Sequence, residues 1–280
     1  VYNGEPAGLQ HTESITGKYL FETNRPRYKR KVATSFFEIK NARTNNLKNV
    51  SVKIPKGVLT CVTGVAGSGK SSLIHQCFVK QHPEAIVVDQ SPIGKSSRAN
   101  PATFMGVFDQ IRKEFATATK REASLFSFNS KGACPKCNGQ GTLSFELHFL
   151  DAVKTMCDEC EGKRYHADVL ELLYHGQSIA DVLNMTINQA SEFFNVPRID
   201  KHLKLLQEVG LGYLKLGQSL SSLSGGEAQR LKIATELKNE GNIYIMDEPT
   251  TGLHMSDIDN FYRIVKRLVD KNNTAIIIEH

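Results

Sequence analysis

The segment "VLTCVTGVAGSGKSS" (residues 58–72) joins a continuous apolar run to a glycine-rich loop. An apolar run that leads into glycines is typical of a buried strand, and "SSLIHQCFVK" (71–80) after it predicts a helix. The loop matches the pattern G-x-x-x-x-G-K-[ST]. Glycines let backbone N–H groups turn inward around phosphate oxygens, which side chains would obstruct. The segment therefore predicts a phosphate-binding loop between a strand and a helix.

Each part of this loop has an expected role toward a nucleotide. Lys70 is expected to reach the β- and γ-phosphates, and Ser71 to hold Mg²⁺. The helix that follows directs its positive end at the same anion. The residues expected to bind the nucleotide here are Gly64, Val65, Ala66, Gly67, Ser68, Gly69, Lys70, Ser71 and Ser72.

A second apolar run, "IYIMDE" (243–248), delivers two carboxylates to the end of a predicted strand. Asp247 is expected to join the Mg²⁺ shell, and Glu248 to orient or deprotonate an attacking water. A lone Asp-Glu pair after a strand is weak evidence, but together with the phosphate loop it indicates a nucleotide hydrolase.

The remaining pattern predicts an α/β fold. Further buried strands are expected at 85–90 and 274–280. Between the strands expected at 243–248 and 274–280, apolar residues recur at helical spacing over 258–269. Strands that alternate with helices indicate a mostly parallel sheet. Residues 36–54 alternate apolar and polar side chains around "TNNLKN", which predicts two antiparallel strands joined by a turn.

The segment "LSGGEAQRLKIATEL" (223–237) places two glycines at an expected helix start. Its simplest interpretation is an N-capped helix. A helix N-terminus also offers N–H groups to an anion. Ser224, Gly225 and Gly226 are therefore candidates to contact a γ-phosphate.

Two CxxC pairs lie in the middle of the chain, Cys134/Cys137 and Cys157/Cys160. This spacing predicts one structural Zn²⁺ held by four thiolates. A redox CxxC is the alternative interpretation. Glycines 139 and 162 each follow a pair by two residues and are expected to let the backbone turn and donate N–H groups to the thiolates. The other cysteines, Cys61 and Cys77, are predicted to be core residues.

Composition narrows the class of protein. The chain has 280 residues, of which 40% are hydrophobic and 23% charged, values typical of a globular protein. Its net charge of +6 is compatible with nucleic acid or an anionic surface. The sequence contains no apolar stretch long enough to span a membrane and no signal-peptide core. Because it begins at Val1 without methionine, we expect a piece of a longer protein. Its six cysteines do not resemble a secreted disulfide scaffold, so we expect a reducing compartment.

"GVAGSGKSS", "LSGGE", "IYIMDEPTTGLH" and the terminal "IIIEH" together resemble the ABC-type ATPases. The resemblance implies that Gln90 is the Q-loop glutamine and that His280 is the switch histidine that senses the γ-phosphate. It also implies a composite site, in which one phosphate loop is completed by the signature of another nucleotide-binding domain. This chain has one of each, so it is expected to need a missing half of a longer chain or a second copy.

Longer segments resemble the UvrA family, whose members recognise damaged DNA in bacterial nucleotide excision repair. These segments include "DQSPIGKSSRANPATFMGVFDQIR", "CPKCNGQG", "CDECEGKRY", "VGLGYLKLGQSLSSLSGGEAQRLK" and, before residue 37, "ITGKYL". The resemblance implies a cytoplasmic ATPase with ATP, Mg²⁺ and Zn²⁺, acting on damaged double-stranded DNA. It also implies that the helicase-like UvrB subunit binds through an N-terminal half that this sequence lacks.

Four regions are expected along the chain: a polar arm (1–36), the first part of the ATP-binding core (37–90), an inserted signature domain (91–215) and the second part of the core (216–280). The arm contains the basic run "RPRYKRK", for which a solvated linker is the favoured interpretation and a basic arm the alternative. The zinc module occupies about 130–165 of the insertion.

Basic residues in or near the insertion are candidates for sequence-independent contacts with DNA phosphates, although for any single one of them a solvated surface charge is the favoured interpretation. They are Lys95, Arg98, Arg112, Lys113, Lys120, Arg121 and Lys131. The segment "ATATKREASLFSFNSKG" is shorter and less basic than the family pattern, which leaves open a UvrA-like paralogue in drug resistance.

Two other classes of protein remain as alternatives. The ATPase subunit of an ABC transporter would share the nucleotide motifs but has no use for a Cys₄ insertion of this size. A zinc-binding chaperone module would share the pattern "CxxCxGxG" but not the phosphate loop or the signature.

Overall fold

The computed structural model describes residues 2–21, 31–89, 91, 93, 96, 98–147, 150–237, 239–251 and 253–280. The chain divides into two compact units. One comprises Val1–Ser91 with Ser224–His280, and the other Pro92–Leu223. Among the described residues, no helix has both the length and the apolar character needed to cross a membrane.

Strands are numbered along the chain. Those in the described ranges are β1 (Phe36–Ala42), β2 (Val50–Pro55), β3 (Leu59–Thr63), β4 (Ile86–Val88), β5 (Thr142–Leu147), β6 (Leu150–Met156), β7 (Ile243–Asp247) and β8 (Thr274–Glu279).

Helices are numbered in the same way. They are α1 (Ile15–Phe21), a π-helical segment (Ser72–Phe78) that continues into α2 (Val79–Gln81), α3 (Pro101–Phe104), α4 (Phe108–Thr119), α5 (Ala167–Leu170), α6 (Ile179–Asn184), α7 (Ile187–Phe193), α8 (Pro197–Glu208), α9 (Gly225–Glu236) and α10 (Met255–Asp270). Short 3₁₀ turns occupy Pro6–His11, Ala123–Phe126 and Leu220–Ser222.

The first unit is built on a parallel sheet with strand order β3-β8-β7-β4. Strands β7 and β8 are buried almost throughout, as their unbroken apolar sequences predict. Helix α10 contacts β8 and β3. The α/β class with a mostly parallel sheet is therefore confirmed.

Strands β1 and β2 form the predicted antiparallel pair, with Phe37 opposite Ile54 and Ile39 opposite Val52. A register shift interrupts the pairing between Ile39 and Ala42. Their apolar faces join the π-helical segment and strands β7 and β8 in one core cluster. This core fixes the helix after the phosphate loop against the sheet.

Strand β3 departs from the sequence expectation. It is an edge strand of the described sheet and pairs only with β8, so its side chains are partly or fully exposed. Cys61 was predicted to lie in the core, and this prediction is wrong because its side chain projects from the edge strand to the surface. Cys77 is half-buried and packs against the core.

The second unit is mainly helical and carries the antiparallel pair β5–β6. Helices α3, α6 and α7 begin with reciprocal side-chain caps at Asn100, Ser178 and Thr186. Buried aromatic rings fill the interior, including Phe108 stacked on Phe128 at 5.0 Å between ring centroids. These features give the unit a core of its own.

Candidate nucleotide site and Cys₄ centre

The phosphate loop connects β3 to the π-helical segment, as the sequence predicts. Its glycines at 67 and 69 have positive φ angles of 76° and 95°. A Cβ at residue 69 would lie 2.8 Å from Leu47 Cδ2, which that side chain can relieve by a small movement, so the positive φ angle is the stronger reason for glycine there. The local sequence thus dictates the shape of the loop.

A cavity of about 300 Å³ lies over this loop and brings together residues from distant parts of the first unit. Parallel strands end at the same edge of a sheet, which places the ends of β7 and β8 beside the loop that follows β3. The cavity is lined by Asn45, Asn46, Ala66, Gly67, Ser68, Gly69, Lys70, Ser71, Ser72, Glu248, Ile278 and His280.

The ammonium group of Lys70 is held by its own loop. Its Nζ donates to the carbonyl oxygens of Gly64 at 2.6 Å and Val65 at 3.2 Å, and lies 3.3 Å from His280 Nδ1. A bound phosphate would offer oxygen acceptors of opposite charge in place of these carbonyls.

Glu248 follows β7 in a left-handed backbone conformation, with φ at 45°. Its N–H donates to the carbonyl oxygen of Ile278 at 2.9 Å, which anchors it to β8. Its carboxylate Oε1 lies 2.6 Å from His280 Nε2, and Oε2 accepts from Thr251 Oγ1 at 3.4 Å. A non-glycine residue in this conformation costs energy, and such positions cluster at functional sites.

Asp247 lies at the end of β7 and is absent from the lining of the cavity. Its Oδ2 is 3.1 Å from Nε2 of His75, which belongs to the helix after the phosphate loop. Sequence analysis missed His75. The available signal was its position four residues after Ser71, about one helical turn along the same helix.

The signature segment forms α9, and Ser224 caps it through a reciprocal hydrogen-bond pair with Glu227. Gly225 and Gly226 are its first helical residues. None of Ser224, Gly225 and Gly226 lines the cavity over the phosphate loop. Among the described residues, the signature therefore does not share a cavity with the phosphate loop of its own chain.

Gln90 lies outside the described residues, but its neighbour Asp89 has a defined anchor that sequence analysis did not predict. Lys232 on α9 donates to Asp89 Oδ1 at 2.6 Å and to the backbone oxygens of Asp89 and Ser91. The Lys232 hydrogen bond, helped by that of Ser91, lowers the pKa of Asp89 to about 2. Buried Gln229 also donates to the carbonyl of Val88 at 3.1 Å, so α9 holds the end of β4.

The four predicted ligand cysteines meet in the second unit. Cys134, Cys137, Cys157 and Cys160 are buried and unoxidised, and their sulfur atoms all lie within 4.8 Å of one another. Two of the sulfur–sulfur distances are 4.0 Å and 3.6 Å. A tetrahedron with Zn–S bonds of about 2.3 Å has sulfur–sulfur edges of about 3.8 Å. The geometry of the cluster therefore fits a zinc ion.

Backbone groups around the cluster favour thiolates. Gly141 N–H donates to Cys137 Sγ at 3.2 Å, and the backbone of Arg164 hydrogen-bonds to Cys160. Burial nevertheless raises the pKa of Cys160 to about 12. A buried thiol of this kind stays protonated unless a cation compensates its charge. Glycines 139 and 162 supply the turns, with positive φ angles of 74° and 79°.

The basic residues predicted to contact DNA belong to the second unit, apart from Lys95, which lies outside the described residues. Several are already engaged: Arg98 with Asn129, Arg112 with Asp109, and Lys131 with Glu122. Three of them have exposed side chains: Lys113 in the middle of α4, and Lys120 and Arg121 just after its end.

The chain belongs to the ABC transporter family, whose model matches residues 47–251. This family defines the ABC-type ATPase domain, a nucleotide-binding domain. Within it, the chain is similar to UvrABC system protein A. It is 44% identical to that protein from Staphylococcus epidermidis, over 97% of this chain and 33% of the relative. It is 45% identical to that from Aquifex aeolicus, over 96% of this chain and 33% of the relative.

A solved structure gives the same result. The crystal structure of UvrA2 from Deinococcus radiodurans matches all of this chain with a TM-score of 0.91 and 44% identity, and this chain covers 38% of it. The chain spans about a third of the length of the curated relatives it matches. The aligned region of the S. epidermidis protein covers 308 positions, more than the 280 residues of this chain, so that relative carries residues that this chain lacks.

Proposed function

We propose that this chain is the ATP-binding and ATP-hydrolysing part of a UvrA-type protein that recognises damaged double-stranded DNA in nucleotide excision repair. The observation that carries the proposal is the cavity over the phosphate loop. Residues from the loop and from the ends of β7 and β8 line it together, within a chain 44% identical to UvrABC system protein A. The same relatives do not favour a transporter subunit or a chaperone module.

The residues of the site have complementary tasks. The backbone N–H groups of the loop and Lys70 bind the phosphates, while Ser71 and Asp247 hold Mg²⁺, which neutralises phosphate charge when bound. Glu248 orients the attacking water and accepts its proton, since it is ionisable and lies at the cavity. His280, hydrogen-bonded to Glu248, responds to the γ-phosphate. Gln90 is the Q-loop glutamine of the family pattern.

The site is completed by a second nucleotide-binding domain. The signature residues Ser224, Gly225 and Gly226 do not line the cavity of their own chain, and the N-terminus of α9 can offer N–H groups to a phosphate elsewhere. We propose that a second copy of this chain, or the other half of a longer one, supplies the missing signature.

The Cys₄ cluster holds a structural Zn²⁺. Four thiolate ligands fill a tetrahedral ion, so no open position remains for catalysis. The ion stabilises the second unit, whose exposed lysines and arginines contact DNA phosphates. A cytoplasmic location and recruitment of a helicase-like UvrB subunit by the remainder of the protein complete the proposal.

The test is the substitution Glu248→Gln, which keeps the shape of the side chain and removes its charge. We expect ATP affinity, measured with a fluorescent ATP analogue, to stay within about twofold. We expect phosphate release to fall by about 100-fold or more. Glu240→Gln is the matched control, because Glu240 is exposed and does not line the cavity. Normal turnover in Glu248→Gln would defeat the assignment.

A further inference from the structure

His75 occupies a position from which it can act on the Mg²⁺-binding carboxylate. It lies on the helix that starts at the phosphate loop, four residues after Ser71. Its Nε2 is 3.1 Å from Oδ2 of Asp247, across a sequence separation of 172 residues. Both side chains are partly shielded, with exposed fractions of 30% and 35%.

This hydrogen bond limits the orientations that the Asp247 carboxylate can adopt. Among the described residues, His75 is its one hydrogen-bond partner. A carboxylate has about four lone-pair positions, so a bond from His75 leaves positions for a metal ion or its water. The imidazole N–H can donate to Asp247 whether or not the other ring nitrogen carries a proton.

We propose that His75 is a positioning residue that holds the Asp247 carboxylate in the orientation used to bind Mg²⁺ with the nucleotide. The inference rests on the proposed function. A carboxylate at the end of a strand loses rotamer entropy when it binds a metal ion. A hydrogen-bond partner that already fixes the side chain reduces this entropy loss on binding. The helix after the phosphate loop then positions both groups that bind Mg²⁺. The Ser71 hydroxyl lies at its start, and His75 on the same helix holds the Asp247 carboxylate.

Two other roles for His75 give different results and would overturn the proposal. As a direct metal ligand, its nitrogen would bind the ion and favour metals such as Mn²⁺ or Co²⁺ over Mg²⁺. As a latch, it would hold Asp247 away from the metal, and its removal would tighten metal binding.

The experiment compares His75→Ala, His75→Asn and the control Lys80→Ala in the full 280-residue chain. Lys80 is exposed and lies farther along the same helical stretch. Mn²⁺ serves as the probe ion, titrated by electron paramagnetic resonance in the presence of a non-hydrolysable ATP analogue. Affinity for a fluorescent ATP analogue is also measured in excess chelator, without metal.

We expect His75→Ala to weaken Mn²⁺ binding by about ten- to a hundredfold, the range for removal of a residue that hydrogen-bonds to a metal ligand. Metal-free nucleotide affinity should not change. His75→Asn, which retains an N–H donor, should recover most of the loss, and Lys80→Ala should match the original chain.

Three results would overturn the inference: unchanged Mn²⁺ affinity in His75→Ala, tighter binding, or a nitrogen coupling in the Mn²⁺ spectrum of the original chain. These differ from failure of the proposed function. If the original chain bound neither the nucleotide nor Mn²⁺ with it, both proposals would fall, whereas normal binding that His75→Ala leaves unaltered removes only the role of His75.

Discussion

We expect the two glycines that follow the CxxC pairs to differ in the stability lost when each is replaced by alanine. Gly139 and Gly162 have nearly equal φ angles, 74° and 79°. A Cβ at residue 162 would find its nearest atom at 3.7 Å, in the side chain of Met156. A Cβ at residue 139 would lie 1.7 Å from the carbonyl oxygen of Phe128. The pair therefore separates the cost of the backbone angle from the cost of the collision.

The magnitudes follow from these distances. Gly162→Ala should cost about 1–2 kcal/mol, the strain of a left-handed residue with a Cβ. Gly139→Ala adds a collision that only a backbone shift of more than 1 Å can relieve, since such contacts require about 3 Å. Phe128 cannot yield easily because its ring is fully buried and stacked on Phe108. We expect a total cost of about 4 kcal/mol or more.

Urea unfolding followed by far-ultraviolet circular dichroism measures the free energies. Zinc release to a coloured chelator measures the state of the Cys₄ cluster. Gly139→Ala should unfold at much lower urea and release zinc faster, while Gly162→Ala should retain zinc. Equal losses in the two variants, or a larger loss at residue 162, would refute the steric argument.

Three further predictions concern separate parts of the chain. Cys157→Ser should abolish zinc retention on gel filtration while leaving affinity for a fluorescent ATP analogue unchanged, because the cluster and the phosphate loop belong to different units. Lys232→Met should destabilise the chain by about 1 kcal/mol or less, since Asp89 is half-exposed. Because the folded pKa of Asp89 is depressed, this difference should be complete above about pH 4 and vanish toward pH 2 in urea titrations. Gln229→Leu should cost about 1 kcal/mol in the same assay by removing the buried hydrogen bond to the Val88 carbonyl, and an unchanged midpoint would contradict this.

Local sequence signals predicted most of the elements around the site. The phosphate loop, the strand that ends in Asp247 and the helical spacing of α10 each depend on residues close together in the chain. The meeting of the four cysteines was also predictable, because two CxxC pairs at this spacing have few other uses. The roles of the individual site residues and the region boundaries stay predictions.

Features that depend on residues far apart in the chain could not be predicted from the sequence. The apolar run of β3 suggested a buried strand, yet its place at the sheet edge exposes Cys61, and strand order cannot be read from composition. The hydrogen bond between His75 and Asp247 and that between Lys232 and Asp89 each join residues more than 140 positions apart. Each side chain alone is an ordinary polar residue, so only the fold reveals the pair.

The most direct test of the account is DNA binding by fluorescence anisotropy. The zinc-loaded chain is titrated with undamaged duplex and with the same duplex carrying one bulky adduct, in ATP and Mg²⁺ at several salt concentrations. The account predicts tighter binding to the damaged duplex, with a slope of log K against log salt of about −0.9 for each phosphate neutralised. Absence of binding at low salt, from a chain that still binds ATP and zinc, would contradict the proposal that this part of the protein contacts damaged DNA.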